Sequence, residues 1–229
     1  MTTEREPLDD HPAGTARARL PLTADELAHE IRSGGQPDDE LFDLFLPFQL
    51  RMASGVYWTP LAVAARAATW FAELGVTSVV DIGSGAGKFC VAAALGGAAR
   101  FVGLEHRPRL VAAAGRLARL FRVDDRVQFV EGILDPSTAP AADAYYLYNP
   151  FAENRFGPES HLDDDVELGE DRYQRDIAAA EELLRRARPG TYVVTYNDFG
   201  GEVPAGYVQI RADHTLPNLL RMWHKSVAT

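Results

Sequence analysis

A glycine-rich segment carries the clearest chemical signal in the sequence. Residues 79–89 are VVDIGSGAGKF, with three glycines at alternate positions directly after an apolar run. A glycine turn between a strand and a helix lets the backbone approach a ligand closely and directs helix N–H groups toward it. Asp81 precedes this turn, and Glu105 ends the next apolar run, where a carboxylate can accept hydrogen bonds from both hydroxyls of a ribose. The pattern therefore predicts a nucleoside-binding site.

The spacing of the glycines separates two kinds of nucleoside site. Dinucleotide-binding enzymes need G-x-G-x-x-G, with a third glycine at position 88, but that residue is Lys88. A G-x-G-x-G turn with Asp81 before it and Glu105 after it resembles the class I S-adenosylmethionine-dependent methyltransferases, over residues 57–225. The alternative is an ordinary strand–turn–helix corner. The resemblance implies that S-adenosylmethionine is the cofactor, with its ribose on Glu105 and its amino-acid part on Asp81 and the turn residues Gly83, Ser84, Gly85 and Gly87.

The adenine contacts are less clear. In this family an acid after the third strand often binds the adenine amine, and the matching stretch here is EGILD, with Ile133 in the acid's place. The resemblance therefore implies contacts from the backbone at Ile133 and Leu134, or from Asp135, which is equally typical of a turn before Pro136. His106 could flank the adenine or be an exposed histidine at a helix start.

Asn149-Pro150-Phe151 directly follows the predicted fourth strand. Ligands of open α/β sheets bind beyond the carboxyl ends of the strands, so we expect the methyl acceptor and part of the cofactor beside Asn149. The segment is similar to the Asn-Pro-Pro-aromatic motif of methyltransferases that modify nitrogen, although the second proline is absent. The resemblance implies that Asn149 accepts hydrogen bonds from the target N–H and that Phe151 stacks on it. The alternative is a strand-ending turn.

Two aromatic residues and a threonine stand before an alanine-rich segment. Tyr57 and Trp58 are predicted to cover the cofactor pocket, or alternatively to pack an N-terminal cap against the sheet. Thr59 is predicted to be the N-cap of a helix with Pro60 at its first position. These three residues complete the predicted cofactor site.

Acidic residues are concentrated after the predicted acceptor motif. Residues 152–171 form either a solvated surface loop or a lid that favours a cationic acceptor; the acids are Glu153, Glu159, Asp163, Asp164, Asp165, Glu167, Glu170 and Asp171. Neutralising Asp163, Asp164 and Asp165 should raise the acceptor KM if the lid hypothesis holds. The single cysteine, Cys90, excludes an internal disulfide or a cysteine-based zinc site, and we expect no metal.

Strand-like and helical segments alternate along the part of the chain that carries these residues. Strand-like runs separated by helical segments between residues 78 and 197 predict an α/β fold, a doubly wound, Rossmann-like and mostly parallel sheet. Two further strand candidates, 207–211 and 219–225, predict an antiparallel C-terminal hairpin, giving seven strands with a parallel core in the order 3-2-1-4-5. We expect a disordered tail at 1–21, a small helical cap at 22–55 and the methyltransferase domain at 56–229.

Composition limits the remaining possibilities. The 229 residues are 46% hydrophobic and carry a formal net charge of −10, which excludes a disordered chain and makes nucleic acid an unexpected partner. The longest apolar stretch, residues 91–99, is too short to span a membrane, and the N-terminus lacks the apolar core of a signal peptide, so we expect a cytoplasmic protein.

These patterns lead to one preferred function and two alternatives. The preferred function is transfer of a methyl group from S-adenosylmethionine to a nitrogen of a small molecule or a protein side chain, neutral or cationic. The first alternative is methylation of an oxygen or carbon of a small metabolite, in which Asn149 has no special role. The second is a non-catalytic, cofactor-binding regulatory subunit. The sequence does not indicate an oligomeric state.

Overall fold

A single seven-stranded sheet organises the chain. The computed structural model describes residues 22–226, so the predicted tail at 1–21 lies outside the described residues. The strand order is β3-β2-β1-β4-β5-β7-β6, with β1 to β5 parallel and β7 antiparallel to both β5 and β6. The strands are β1 Ser78–Ile82, β2 Arg100–Glu105, β3 Val127–Glu131, β4 Ala144–Tyr148, β5 Tyr192–Tyr196, β6 Tyr207–Asp213 and β7 Leu220–Lys225. The predicted fold class and core strand order are confirmed.

Helices cover the two faces of the sheet unequally. The helices are α1 Ala24–Arg32, α2 Asp39–Asp43, α3 Phe48–Met52, α4 Ser54–Tyr57, α5 Leu61–Glu73, α6 Lys88–Gly96, α7 Pro108–Leu120 and α8 Glu170–Arg186. Apolar residues of α1, α2, α5, α6 and α7 share one buried cluster with one face of the sheet, while α8 packs on the opposite face. None of the helices within residues 22–226 has the length and apolar character required to cross a bilayer.

The N-terminal helices show where local sequence signals hold and where they fail. Thr23 and Glu26, three residues apart, form a capping box at the start of α1: Glu26 N–H donates to Thr23 Oγ1 at 3.2 Å, and Thr23 N–H donates to Glu26 Oε2 at 2.8 Å. The predicted cap of α5 is wrong. The helix begins at Leu61, whose N–H donates to Asp39 Oδ1 at 2.9 Å, and the Thr59 hydroxyl instead pairs with the Tyr146 hydroxyl at 3.1 Å. A distant aspartate supplies the cap that the neighbouring threonine does not.

Parallel pairing brings the predicted site residues to one edge of the sheet. Asp81 lies in β1, the middle one of the five parallel strands, opposite Gly103 of β2 and Tyr146 of β4. The carboxyl ends of β1, β2, β4 and β5 therefore meet at the same edge, where Glu105 ends β2 and Asn149 follows β4. This is the edge at which open α/β sheets bind ligands.

Candidate functional site

A cavity of about 270 Å³ opens at this edge of the sheet. Most of the predicted site residues line it: Tyr57, Trp58, Gly83, Gly85, Glu105, His106, Ile133, Leu134, Asn149, Pro150 and Phe151. Thr59, Asp81 and Ser84 instead border a smaller cavity of about 20 Å³, which shares Tyr57 and Trp58 with the first. Gly87 borders neither cavity; it is the N-cap of α6, and a Cβ built on it would lie against Phe129 and Ala114.

The glycine turn packs against Pro150 of the predicted acceptor motif and against Trp58, one of the two predicted covering residues. Gly83 has φ +72°, and a Cβ built on it would lie 2.6 Å from Pro150 Cβ. Gly85 has φ +54°, and its Cβ would lie 2.3 Å from the Trp58 ring. Any larger residue at either position would clash and would also adopt an unfavourable backbone conformation. Trp58 both packs against the turn and borders the cavity, so the two interpretations of this residue are compatible.

Glu105 is fixed at the wall of the cavity by backbone donors. Its Oε2 accepts a hydrogen bond from Gly85 N–H at 3.0 Å, and its Oε1 accepts one from Arg107 N–H at 2.9 Å. Burial raises the pKa of this carboxyl, and the backbone donors oppose the shift. A carboxylate held in this way has lone pairs left for the hydroxyl groups of a sugar.

Asp81 is a buried acid beneath the turn. It is 3% exposed, and the Cys90 thiol donates to its Oδ2 at 3.3 Å. Burial, the largest cause, raises the pKa of Asp81 to about 7, and the charge of Glu105 adds to the increase. A cationic ligand group near Asp81 would favour the ionised form. Glu105 and Asp81 thus fit a nucleoside that carries a positively charged chain.

The structure shows where His106 and Asp135 lie, the two residues for which the sequence allowed either an adenine contact or a surface position. His106 is not exposed at a helix start: its side chain is 21% exposed and borders the cavity. Burial, followed by the charges of Arg107 and Arg172, lowers the pKa of His106 to about 4, so the imidazole is neutral at pH 7. Asp135 accepts hydrogen bonds from the N–H and hydroxyl of Ser137 at 2.8 and 2.7 Å, and it does not border the cavity. Its role is that of a turn residue.

Asn149 occupies a strained position at the end of β4. Its φ is +40°, an uncommon conformation for a residue with a side chain, and its N–H donates to Asp198 O at 2.9 Å. Its half-buried side chain borders the cavity, and within residues 22–226 its amide has no hydrogen-bond partner in the protein. Pro150 holds this corner against Gly83. The arrangement leaves a free amide beside the glycine turn.

An arginine network that the sequence analysis missed closes another side of the cavity. Both Arg107 Nη atoms bind Glu153, at 2.9 and 3.0 Å, and Arg107 Nε binds Asp163 at 2.8 Å. Arg109 also binds Asp163, and Arg175 binds Glu167 at 2.6 Å. These acids of the 152–171 segment therefore neutralise arginines of the same chain. The partners lie 46 and 56 residues from Arg107, so no local spacing could have revealed them.

The second group that sequence analysis missed lies on α8. Arg172 Nε binds both carboxylate oxygens of Asp176 at 2.8 Å, and both residues are buried and border the cavity. Their i, i+4 spacing was visible, but such pairs are common on exposed helix faces. In the part of the chain that is described, no group of three or more His, Cys, Asp or Glu side chains could hold a metal ion.

Comparisons with known proteins support the fold. No protein-family model and no curated protein matches the sequence. The chain is similar to the crystal structure of an RNA methyltransferase from Salinibacter ruber in complex with S-adenosyl-L-homocysteine: 26% identity over 75% of this chain and 95% of that one, with a TM-score of 0.51. It is also similar to an O-methyltransferase from Bacillus cereus in complex with the same compound, at 14% identity over 89% and 98% of the two chains and a TM-score of 0.57.

A third similar structure is the mitomycin 7-O-methyltransferase. It is 17% identical over 89% of this chain and 61% of that one, with a TM-score of 0.54. The three structures differ in the acceptor that their names give, an RNA in one and an oxygen atom in the others. What they share with this chain is the arrangement of sheet and helices, so the acceptor must be argued from the cavity itself.

Proposed function

We propose a function from one premise: the chain belongs to the class I S-adenosylmethionine-dependent methyltransferases. The glycine turn, the buried acid beneath it and the carboxylate at the end of β2 support this premise together with the strand order. In this proposal Glu105 binds the ribose, and Asp81 with the turn residues Gly83 to Gly85 holds the amino-acid part. Bound there, S-adenosylmethionine would supply an electrophilic methyl group on a sulfonium, whose sulfur leaves as the neutral thioether of S-adenosylhomocysteine.

We propose that the acceptor atom is a nitrogen that Asn149 orients. The observation that carries this proposal is the unpartnered amide of Asn149, held in a left-handed conformation where Pro150 contacts Gly83. If Asn149 Oδ1 accepts a hydrogen bond from the target N–H, the nitrogen lone pair is directed toward the glycine-turn side of the cavity. Alignment of this kind can contribute about 7–11 kcal/mol in well-oriented systems.

The ionisation of the cavity also favours nitrogen over a hydroxyl oxygen. A neutral amine attacks a methyl group without first losing a proton, whereas a hydroxyl group is a poor nucleophile until a base removes its proton. His106 has a pKa of about 4 and is a weak base, while burial raises the pKa of Tyr57 to about 12. Glu153 is occupied by Arg107. These groups suit a nucleophile that needs no base.

The size of the acceptor follows less directly from the cavity. A small molecule or a protein side chain fits the proposal. Glu153, Asp163 and Glu167 are already paired with arginines of the same chain, so these three acids do not favour a cationic acceptor. Because one similar structure is an RNA methyltransferase, exocyclic amines of nucleobases belong in the acceptor panel with amines, amides and hydroxyls. Methylation of oxygen or carbon is the alternative that the same panel tests.

Removal of the Asn149 side chain tests the proposal. Asn149→Gly removes the amide and suits the left-handed backbone, so it isolates the loss of the hydrogen bond from strain. We expect the rate of S-adenosylhomocysteine formation with a nitrogen acceptor to fall by at least about a hundredfold. Calorimetry should give a cofactor affinity within about tenfold of wild type, roughly 1.4 kcal/mol.

Two controls accompany this variant. Asn149→Ala should lose the same activity, and Asn197→Ala introduces alanine at another left-handed position and measures the stability cost of that strain. Full activity of Asn149→Gly would contradict the role of Asn149. Cofactor binding by wild type without transfer to any member of the panel would favour a non-catalytic, cofactor-binding subunit.

A further inference from the structure

The Arg172–Asp176 pair presents unused hydrogen-bonding groups to the cavity. Arg172 is 7% exposed and Asp176 is 5% exposed. Only Nε of Arg172 is used, with both Asp176 oxygens at 2.8 Å, and within residues 22–226 neither Nη atom has a hydrogen-bond partner. Neither Nη atom is among the fully buried, unpartnered side-chain atoms of residues 22–226, so both are accessible from the cavity and can donate to a ligand. The pair therefore has the chemistry of a binding site.

The position of α8 places this pair at one end of the cavity. Tyr173 and Ile177, one residue further along the helix, contact the segment after β5, since a Cβ on Gly200 would lie 3.0 Å or less from both side chains. Arg172 and Asp176 are rotated about 100° from them and border the cavity instead. Arg172 is near enough to His106 to contribute to its lowered pKa. The pair borders the same cavity as Glu105 and His106, the residues at the carboxyl end of β2.

The backbone after β3 offers no polar side chain at that end. Ile133 is 61% exposed and apolar, and Leu134 packs against the apolar cluster beneath α8. Asp135 is bound within its own turn by Ser137 and does not border the cavity. A nucleobase there would find apolar contacts from this segment but no side chain for its polar edge.

We propose that Arg172 and Asp176 bind the polar edge of the cofactor's adenine, a role that rests on the proposed function. An adenine presents an amino donor beside the ring acceptor N1. Asp176 supplies an acceptor and Arg172 supplies donors, next to each other on one helix face. The pair is complementary to a 6-aminopurine and mismatched to a 6-oxopurine, in which the donor and acceptor positions are exchanged.

Two product analogues test this assignment. S-adenosylhomocysteine carries the 6-amino group, and S-inosylhomocysteine carries a 6-oxo group with a proton on N1. Calorimetry measures the Kd of each for wild type, Asp176→Asn, Arg172→Lys and the control Glu182→Gln, which changes an exposed acid of the same helix. Melting temperature without ligand establishes that each variant is folded.

The expected result is a change in the ratio of the two Kd values. Wild type and Glu182→Gln should prefer the adenosyl compound by at least about tenfold. Asp176→Asn should reduce that preference by about tenfold or more, because an asparagine amide can donate to a 6-oxo group. Arg172→Lys keeps the positive charge but loses the guanidinium fork, and should weaken binding of the adenosyl compound.

Several outcomes would overturn the proposal. An unchanged ratio in folded Asp176→Asn would show that the pair does not contact the base, and a simultaneous rise in acceptor KM would assign it to the acceptor instead. An equal loss of affinity for both compounds would give the pair a structural role only. If wild type bound neither compound, the proposed function itself would be wrong. If wild type bound both compounds with equal affinity, the proposed function would stand and the assignment of the pair to the adenine would be wrong.

Discussion

Two buried cations, Lys88 and Arg107, each bind acids of a segment outside the sheet. Lys88 is the first residue of α6, directly after the glycine turn, and its Nζ lies 2.6 Å from Asp39 Oδ1 and 2.7 Å from Asp43 Oδ1 in α2. Arg107 is the N-cap of α7, two residues after Glu105, and binds acids of the 152–171 segment. Each cation follows a predicted nucleoside-binding element.

The two sites differ in geometry and in what lies beside them. Lys88 is a point charge, 2% exposed, that borders the 20 Å³ cavity beside Asp81 but not the 270 Å³ cavity. Arg107 is a planar fork whose side chain borders that cavity and fixes Glu153, another lining residue. We infer that the lysine site chiefly stabilises the fold, whereas the arginine site shapes the ligand-binding surface. Variants at the two positions should separate these effects.

The largest expected effect is on folding, in Lys88→Met. The substitution removes the charge and leaves Asp43, 5% exposed, without its cation, and breaking a buried pair in this way costs about 3–5 kcal/mol. Urea denaturation should show this loss in the free energy of unfolding. Asp39→Asn is the control and should cost less, because the Asp39 side chain is 43% exposed. Equal losses in the two variants would contradict the assigned importance of the buried partner.

The second effect should appear in ligand binding, in Arg107→Lys. Lysine keeps the positive charge but cannot bind Glu153 with two nitrogens and Asp163 with a third. We expect S-adenosylhomocysteine affinity to fall about tenfold, roughly 1.4 kcal/mol, and unfolding free energy to fall by less than in Lys88→Met. Proteolysis of the 157–169 segment should also become faster. Arg109→Lys is the matched control, since its side chain is 35% exposed.

A contrary ranking would be informative. If Arg107→Lys lowered stability as much as Lys88→Met while ligand affinity stayed at the wild-type value, the two cations would have the same structural role. The distinction between a fold-stabilising site and a cavity-shaping site would then be wrong.

The same two regions show what the sequence could and could not predict. The strands, the glycine turn and Glu105 were predictable because their signals are local: apolar runs of strand length, a glycine turn and an acid at the end of the next run. Gly87 shows the limit of that approach, since it belongs to the motif but serves as a helix cap away from the cavity. A motif identifies a turn more reliably than it identifies each contact.

The other walls of the cavity depend on pairs that are distant in sequence. Arg107 meets Asp163 across 56 residues, and Leu61 receives its cap from Asp39 across 22 residues, while the adjacent Thr59 is used elsewhere. Arg172 and Asp176 are close in sequence, but their burial depends on how α8 packs. From sequence alone, charged residues in such segments are expected to be exposed to solvent, because their partners are determined only by the tertiary structure.

The smallest expected effect concerns acids of the same segment that lack a buried partner. Asp164 is exposed, and Asp165 is 68% exposed and 4.0 Å from Arg109, whereas Asp163 is 14% exposed and binds Arg107. The double variant Asp164→Asn, Asp165→Asn should therefore change the acceptor KM by less than about twofold at low salt, because exposed charges are strongly screened. Asp163→Asn should raise it more, through loss of the Arg107 contact. A steep KM increase in the double variant that disappears at high salt would instead support an acidic lid for a cationic acceptor, and would show that exposed charge as well as buried pairing governs this wall of the cavity.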